Sequence, residues 1–246
     1  MQKIFIDNTT ERKYNRIERI LEEKVMAKNL QENIISSANQ NRKDIFVHGN
    51  EGLKIMFIGN SITKHAPLPK INWFNDCGMA ASSLENDYVH LVVKKIENRY
   101  SGKVSFCIVQ VANFERTFET ADVTELYAEV KDYDPDIMIM FFGANVPRDY
   151  EERIDLKVTF GEQYENLRNF LAGENTTVIH SQGFYIREKL DAEKKAVAEK
   201  YGDAIVNIES IRNREETHGM FNHPNDLGMK EIADAFCNAI KERTGI

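Results

Sequence analysis

Ser61 and His223 are the two residues of this chain whose surroundings suit nucleophilic chemistry. A hydroxyl is a weak nucleophile until a base takes its proton, and an imidazole is the usual base. Ser61 lies in Gly59-Asn60-Ser61-Ile62-Thr63, directly after the apolar run Leu53-Lys54-Ile55-Met56-Phe57-Ile58. Such a run reads as a buried strand and the pentapeptide as the turn at its carboxyl end, where open α/β sheets hold their ligands. The same serine would serve equally well as a helix N-cap, which a strand-to-helix turn favours. His223 lies in Asn222-His223-Pro224-Asn225-Asp226-Leu227-Gly228. Pro224 stiffens this loop and Asn225 or Asp226 can cap the helix that follows, which mounts the imidazole rigidly. Taken alone, the segment reads more simply as a surface loop beside a cap.

Acyl transfer also requires donors aimed at a developing oxyanion. The run Ile137-Met138-Ile139-Met140-Phe141-Phe142 ends in Gly143-Ala144-Asn145. Gly143 permits close backbone approach, and the Asn145 amide is a suitable donor, although Gly-x-Asn is also ordinary turn chemistry. A third strand candidate, Lys103 to Val111, empties into Ala112-Asn113, so a third strand end carries an amide.

Positioning these groups falls to an alternation of apolar runs and helical periods that begins at Leu53. Strands are expected at Lys54–Ile58, Lys103–Val111, Ile137–Phe142, Thr177–Ser181 and Ala204–Ile208, enough for one five-stranded, doubly wound parallel sheet. Ser82-Ser83-Leu84-Glu85 has the spacing of a capping box opening a helix to Asn98. Further helices are expected over Thr120–Lys131, around Phe160–Leu171 with Gly173 as a stop, over Arg187–Tyr201 before Gly202, and over Asn225–Arg243. Residues 1–52 read as an N-terminal extension to a domain spanning 53–246. Its amphipathic stripe Ile17, Ile20, Leu21, Val25 and Leu30 suits packing on the main domain or pairing with a second copy. Lys3–Ile6 and Asp44–Val47 are candidate short strands within it.

The chain has 246 residues and a formal net charge of −7, which argues against a nucleic-acid partner. No stretch has the length and apolarity of a membrane span and no signal-peptide core follows Met1, so a cytoplasmic location is expected. Cys77, Cys107 and Cys237 lack metal-ligand spacing and read as reduced core thiols; the six histidines form no zinc pattern, so no metal is expected.

Gly59-Asn60-Ser61-Ile62-Thr63, Gly143-Ala144-Asn145 and His223-Pro224-Asn225-Asp226-Leu227-Gly228 resemble, in order, three blocks of the SGNH, or GDSL-type, hydrolases. Asn60 stands where that family usually has Asp. The resemblance covers Leu53 to the C-terminus and implies a flavodoxin-like, three-layer α/β/α fold and ester hydrolysis without a cofactor. It implies Ser61 as nucleophile, His223 as base, and Asn145 with the Ser61 N–H as oxyanion donors. The family's second block usually offers a glycine N–H; Ala112-Asn113 occupies that place, which puts the side chain of Asn113 forward as a donor. The family's acid normally stands three residues before the histidine, where this chain has Met220, and methionine cannot orient an imidazole. A backbone carbonyl in a Ser–His dyad, Glu215 or Glu216 folding back, or Asp226 from the first helical turn are the replacements the sequence offers. An insertion from Lys64 to Ala81 resembles a subgroup with Gly78–Ser83 and Asp87–His90 as motifs. Trp73 within it is a candidate pocket wall or, equally, an anchor to the core. The expected substrate is a small or carbohydrate-linked ester of the O-acetyl type. The alternatives are a binding module that has lost turnover and a lipase or thioesterase for longer chains.

Overall fold

In a computed structural model, the structure describes residues 44–246. The stripe Ile17 to Leu30 and the Lys3–Ile6 segment lie outside them. Six strands, β1 (Ile45–His48), β2 (Leu53–Gly59), β3 (Val104–Gln110), β4 (Ile137–Phe141), β5 (Thr177–Ser181) and β6 (Ala204–Val206), form one sheet in the order β1-β3-β2-β4-β5-β6. The five expected strands run parallel to their neighbours. The sixth, drawn from the segment before residue 53, is an antiparallel edge strand on β3. It shields the backbone of β3, which would otherwise be an open edge.

The central strands are mostly apolar because both faces are covered, and every residue of β4 is buried. Ile55, Phe57, Ile139 and Phe141 point to one face, where Tyr88, Val92 and Ile96 of α1 (Tyr88–Glu97) meet Ile232, Phe236 and Ile240 of the C-terminal helix (Asp226–Thr244). Met56, Ile58, Met138 and Met140 point to the other. That face is covered by α2 (Ala112–Thr117), α3 (Val123–Leu126), α4 (Phe160–Leu171) and α5 (Glu188–Tyr201). A short α6 (Glu209–Arg212) precedes the C-terminal helix, α7. The result is a three-layer α/β/α arrangement. The three cysteines are free and buried; burial pushes the thiols of Cys77 and Cys107 up to about 12 and that of Cys237 to about 11.

Two expected helices differ in the structure. The helix foreseen from Ser82 begins at Tyr88, capped by Asp87, whose carboxylate accepts from the His90 N–H at 2.9 Å. Ser82 instead donates its N–H and hydroxyl to the Asp226 carboxylate at 2.7 and 2.6 Å, a charged acceptor that outcompetes a neutral cap. Among the described residues a capping box is formed by Thr159 and Glu162, opening α4. The expected Thr120–Lys131 helix is α3 followed by a 3₁₀ stretch over Ala128–Tyr133. The buried Tyr127 that precedes this stretch and Val130 and Tyr133 within it recur every third position, the period of a 3₁₀-helix rather than an α-helix.

Registry brings the strand ends together. Gly59 stands between Gln110 of β3 and Phe141 of β4, so the turns that follow all three open on one edge. Gly59 is needed there: a Cβ would lie 1.7 Å from the Thr63 Oγ1 and 3.1 Å from the Phe141 carbonyl oxygen. Thr63 cannot swing aside freely, since its hydroxyl is bonded to Tyr88 at 2.8 Å. Gly59→Ala is therefore expected to lower stability by about 1–3 kcal/mol, read as a lower urea midpoint at unchanged slope.

Candidate active site

The Ser61 Oγ lies 2.8 Å from Nε2 of His223, across 162 residues of sequence. Ser61 is not a helix cap, because no helix follows it. The chain turns back through Thr63 and Lys64, whose N–H groups both donate to the Asn60 carbonyl, and enters the Lys64–Ala81 insertion. The insertion folds back on itself through bridges His65–Cys77 and Leu68–Trp73, then returns beneath the serine, where the Met79 N–H donates to the Ser61 carbonyl at 2.8 Å. Trp73 is 4% exposed and donates to the His65 carbonyl at 3.1 Å. It anchors the insertion to the core and is not a stacking surface; its neighbour Phe74 is the exposed aromatic.

His223 is held by a loop tied at both ends. The Gly219 N–H donates to the His223 carbonyl, the Asn225 N–H to the Thr217 carbonyl, and the Asn225 side chain to the carbonyls of Glu216 and His218 while capping α7 at Gly228. Between them Phe221 and Asn222 both take left-handed backbone conformations, with φ of 53° and 59°. A bulky residue adopts that conformation at a cost of about 1–2 kcal/mol. The turn returns the Phe221 carbonyl to Nδ1 of His223, at 3.1 Å. The hydroxyl of Tyr185, in the loop after β5, lies 3.0 Å from the same nitrogen.

A carbonyl can only accept, so Nδ1 carries the imidazole proton and shares it between the Phe221 and Tyr185 oxygens. That leaves Nε2 with its lone pair toward Ser61, the tautomer a general base needs. The carboxylates proposed from sequence are elsewhere. Glu215 and Glu216 are exposed, the latter 3.3 Å from Arg214, and Asp226 binds the end of the insertion at Ser82. Met220, at the usual acid position, is partly exposed. His223 itself is 7% exposed, and burial lowers its pKa from 6.5 to about 4, outweighing the carbonyls of Phe221 and Met220.

Asn145 does not present its whole amide to solvent. Its Nδ2 donates to Oε2 of Glu115 at 2.5 Å and its Oδ1 accepts from Arg116 at 3.0 Å. Glu115, in the first turns of α2, also accepts from the Asn60 Nδ2 at 3.0 Å and from the Gly143 N–H. Gly143 has φ of 128°, a conformation that suits glycine, and the buried Lys194 ammonium donates to the carbonyl just before it, that of Phe142, at 3.3 Å. Among the described residues the Ser61 N–H has no hydrogen-bond acceptor. The Asn113 Oδ1 faces Arg116 at 3.5 Å, and the Ala112 N–H is bound by the side chain of Gln110 at 2.7 Å, so that loop's first N–H is engaged.

Glu115 and Tyr185 were missed from sequence. A lone Glu early in a helix looks like a dipole partner, and Tyr185 follows a strand without a recognisable block. Among the described residues no group of three His, Cys, Asp or Glu is placed to hold a metal ion, and no helix is long and apolar enough to cross a membrane.

The lowered pKa of His223 has a direct test. Between about 6.5 and about 4 the unfolded chain binds a proton at this residue that the folded chain does not, so stability falls as pH falls through that window. In ¹⁵N NMR the His223 ring is expected to remain neutral, protonated at Nδ1, down to about pH 4. Titration near 6.5 would contradict the buried placement.

No family model matches the sequence, and comparison with curated proteins gave no match. Among solved structures the chain is similar to a family two carbohydrate esterase from Clostridium thermocellum in complex with cellohexaose. The two share 16% identity with a TM-score of 0.52, over 80% of this chain and 66% of that chain, so this chain spans just under two thirds of that protein's length. It is also similar to a putative lipolytic protein of the G-D-S-L family from Desulfitobacterium hafniense DCB-2. Here identity is 14% and the TM-score 0.50, over 76% of this chain and 99% of that one. At these identities the likeness is one of fold, and it agrees with the sheet order and layers described above: the chain has the three-layer α/β/α fold of the SGNH, or GDSL-type, hydrolases.

Proposed function

We propose that this protein is a serine esterase that hydrolyses a small or carbohydrate-linked ester, such as an O-acetyl group, through an acyl-enzyme on Ser61. The observation that carries the reading is the 2.8 Å contact between the Ser61 hydroxyl and Nε2 of His223, at the carboxyl edge of the sheet. Nε2 takes the hydroxyl proton as Oγ attacks the ester carbonyl, and the imidazolium then returns that proton to the leaving alcohol. Water repeats the sequence on the acyl-enzyme. The oxyanion would be met by the Ser61 N–H and by the Asn145 N–H that Glu115 does not occupy; one such donor supplies roughly 2.7–4 kcal/mol.

The fold neighbours support an ester as substrate, one being named a carbohydrate esterase and the other a lipolytic protein. The carbohydrate-linked form is favoured by the first, which was solved with cellohexaose. Ile186, which follows Tyr185, and Met220, three residues before His223, are exposed and offer apolar surface to a sugar face or a short acyl group.

Two measurements test the reading. Ser61→Ala is expected to lower kcat/KM on p-nitrophenyl acetate by about a thousandfold or more with an unchanged circular dichroism spectrum, and unchanged activity would refute the assignment. The acid limb of kcat/KM should fall near pH 4, where His223 protonates, instead of near the 6.5 of an unperturbed histidine. A limb at 6.5 or above would mean that another group acts as the base.

A further inference from the structure

We infer that Glu115 is a positioning residue which, paired with Asn60, aims the Asn145 amide and holds the nucleophile turn against the Gly143 turn. This rests on the esterase reading for its consequence, though not for its geometry.

Glu115 has no solvent exposure, and a buried carboxylate is tolerated only where donors surround it. It has three, and all come from the two turns that carry the proposed chemistry. Oε1 accepts from the Asn60 side chain and the Gly143 N–H, and Oε2 from the Asn145 side chain. A primary amide has two N–H groups in one plane. Glu115 takes one from Asn145, Arg116 holds the oxygen, and the orientation of the second N–H follows from those two anchors. The buried ammonium of Lys194, bonded to Asp191 at 2.9 Å and to the Phe142 carbonyl, stands behind the Gly143 turn and offsets the negative charge.

The same contact explains why residue 60 is asparagine. An aspartate there would place a carboxylate oxygen about 3.0 Å from Glu115 Oε1, where both groups cannot ionise. Asparagine instead donates to Glu115 and, through Oδ1, accepts from the Ile62 N–H at 3.2 Å. Nor is glutamine equivalent to glutamate at 115. Either orientation of its amide turns an N–H toward at least one of the three donors, so the shape survives and the alignment does not.

The test uses the full chain with p-nitrophenyl acetate and thermal melting in parallel. Glu115→Gln is expected to lower kcat at least about tenfold with KM changed by less than about threefold, since the aim of one oxyanion donor is lost. Asn60→Asp is expected to lose a similar factor at about pH 8 and to regain it towards about pH 5.5, as one proton is shared between the facing carboxylates. Asn60→Asp combined with Glu115→Gln is expected to abolish that pH dependence. Full kcat in Glu115→Gln, or a parental pH profile in Asn60→Asp, would overturn the inference. Should Asn60→Asp not fold, the kcat and KM of Glu115→Gln decide. The Gly143 amide proton, shifted downfield by its carboxylate acceptor, should move upfield in Glu115→Gln whether or not the chain turns over an ester, and no movement would also overturn the inference. Failure of the esterase reading would show separately, as Ser61→Ala retaining full hydrolysis.

Discussion

A carboxylate sealed from water has to be met by donors, and in this protein that requirement falls where three strands end. Glu115 draws N–H groups from the Asn60 and Gly143–Asn145 turns into one charge-assisted cluster. The parallel register of β2 with β3 and β4 is what makes this reachable, because it sets Gly59, Gln110 and Phe141 side by side. A shift of one residue in either pairing would turn alternate side chains to the opposite face and separate the donors from their acceptor. Sheet register, core alternation and site geometry are thus one constraint seen at three scales.

The same economy holds on the histidine side. Asn225 caps α7, bridges the carbonyls of Glu216 and His218, and so fixes the distance from the helix entrance to His223. Asp226, one residue on, binds Ser82 and closes the far end of the insertion that leaves the Ser61 turn at Lys64. The motif around His223 is therefore mostly mechanical: two residues lock the helix start to the loops on either side, and the imidazole is carried between them.

Much of this was legible in the sequence because burial on both sheet faces leaves near-continuous apolar runs, and all five expected parallel strands match within a residue or two at each end. The blocks at Gly59–Thr63 and Gly143–Asn145 were legible for the same reason, since strand, turn and polar residue are contiguous in the chain, and the His223 block was legible as the entrance of the last helix. What the sequence hid was non-local. Asp87 displaced Ser82 as a cap because Asp226, 144 residues away, claimed the serine. Glu115 carries no signal of burial until the strands are placed, although Asn60 in the position of an aspartate was its trace. Trp73 read as a wall or an anchor with equal ease, since only the folded insertion decides which side of an indole meets the core.

The absence of a carboxylate on the His223 Nδ1, among the described residues, can be weighed physically. In serine triads the loss of the acid costs about 10⁴ in kcat, and much of that reflects the wrong tautomer. Here the Phe221 carbonyl secures the tautomer, at the expense of two left-handed residues. What the carbonyl cannot supply is a full negative charge beside the imidazolium that the proposed attack would form, and burial makes that cation costlier still, in line with the lowered pKa. The strained turn therefore replaces the acid's geometry and only part of its electrostatics. A weaker base that stays neutral over a wide pH range fits the proposed ester better than it would an amide, because an ester carbonyl is more electrophilic and needs less activation of the attacking hydroxyl.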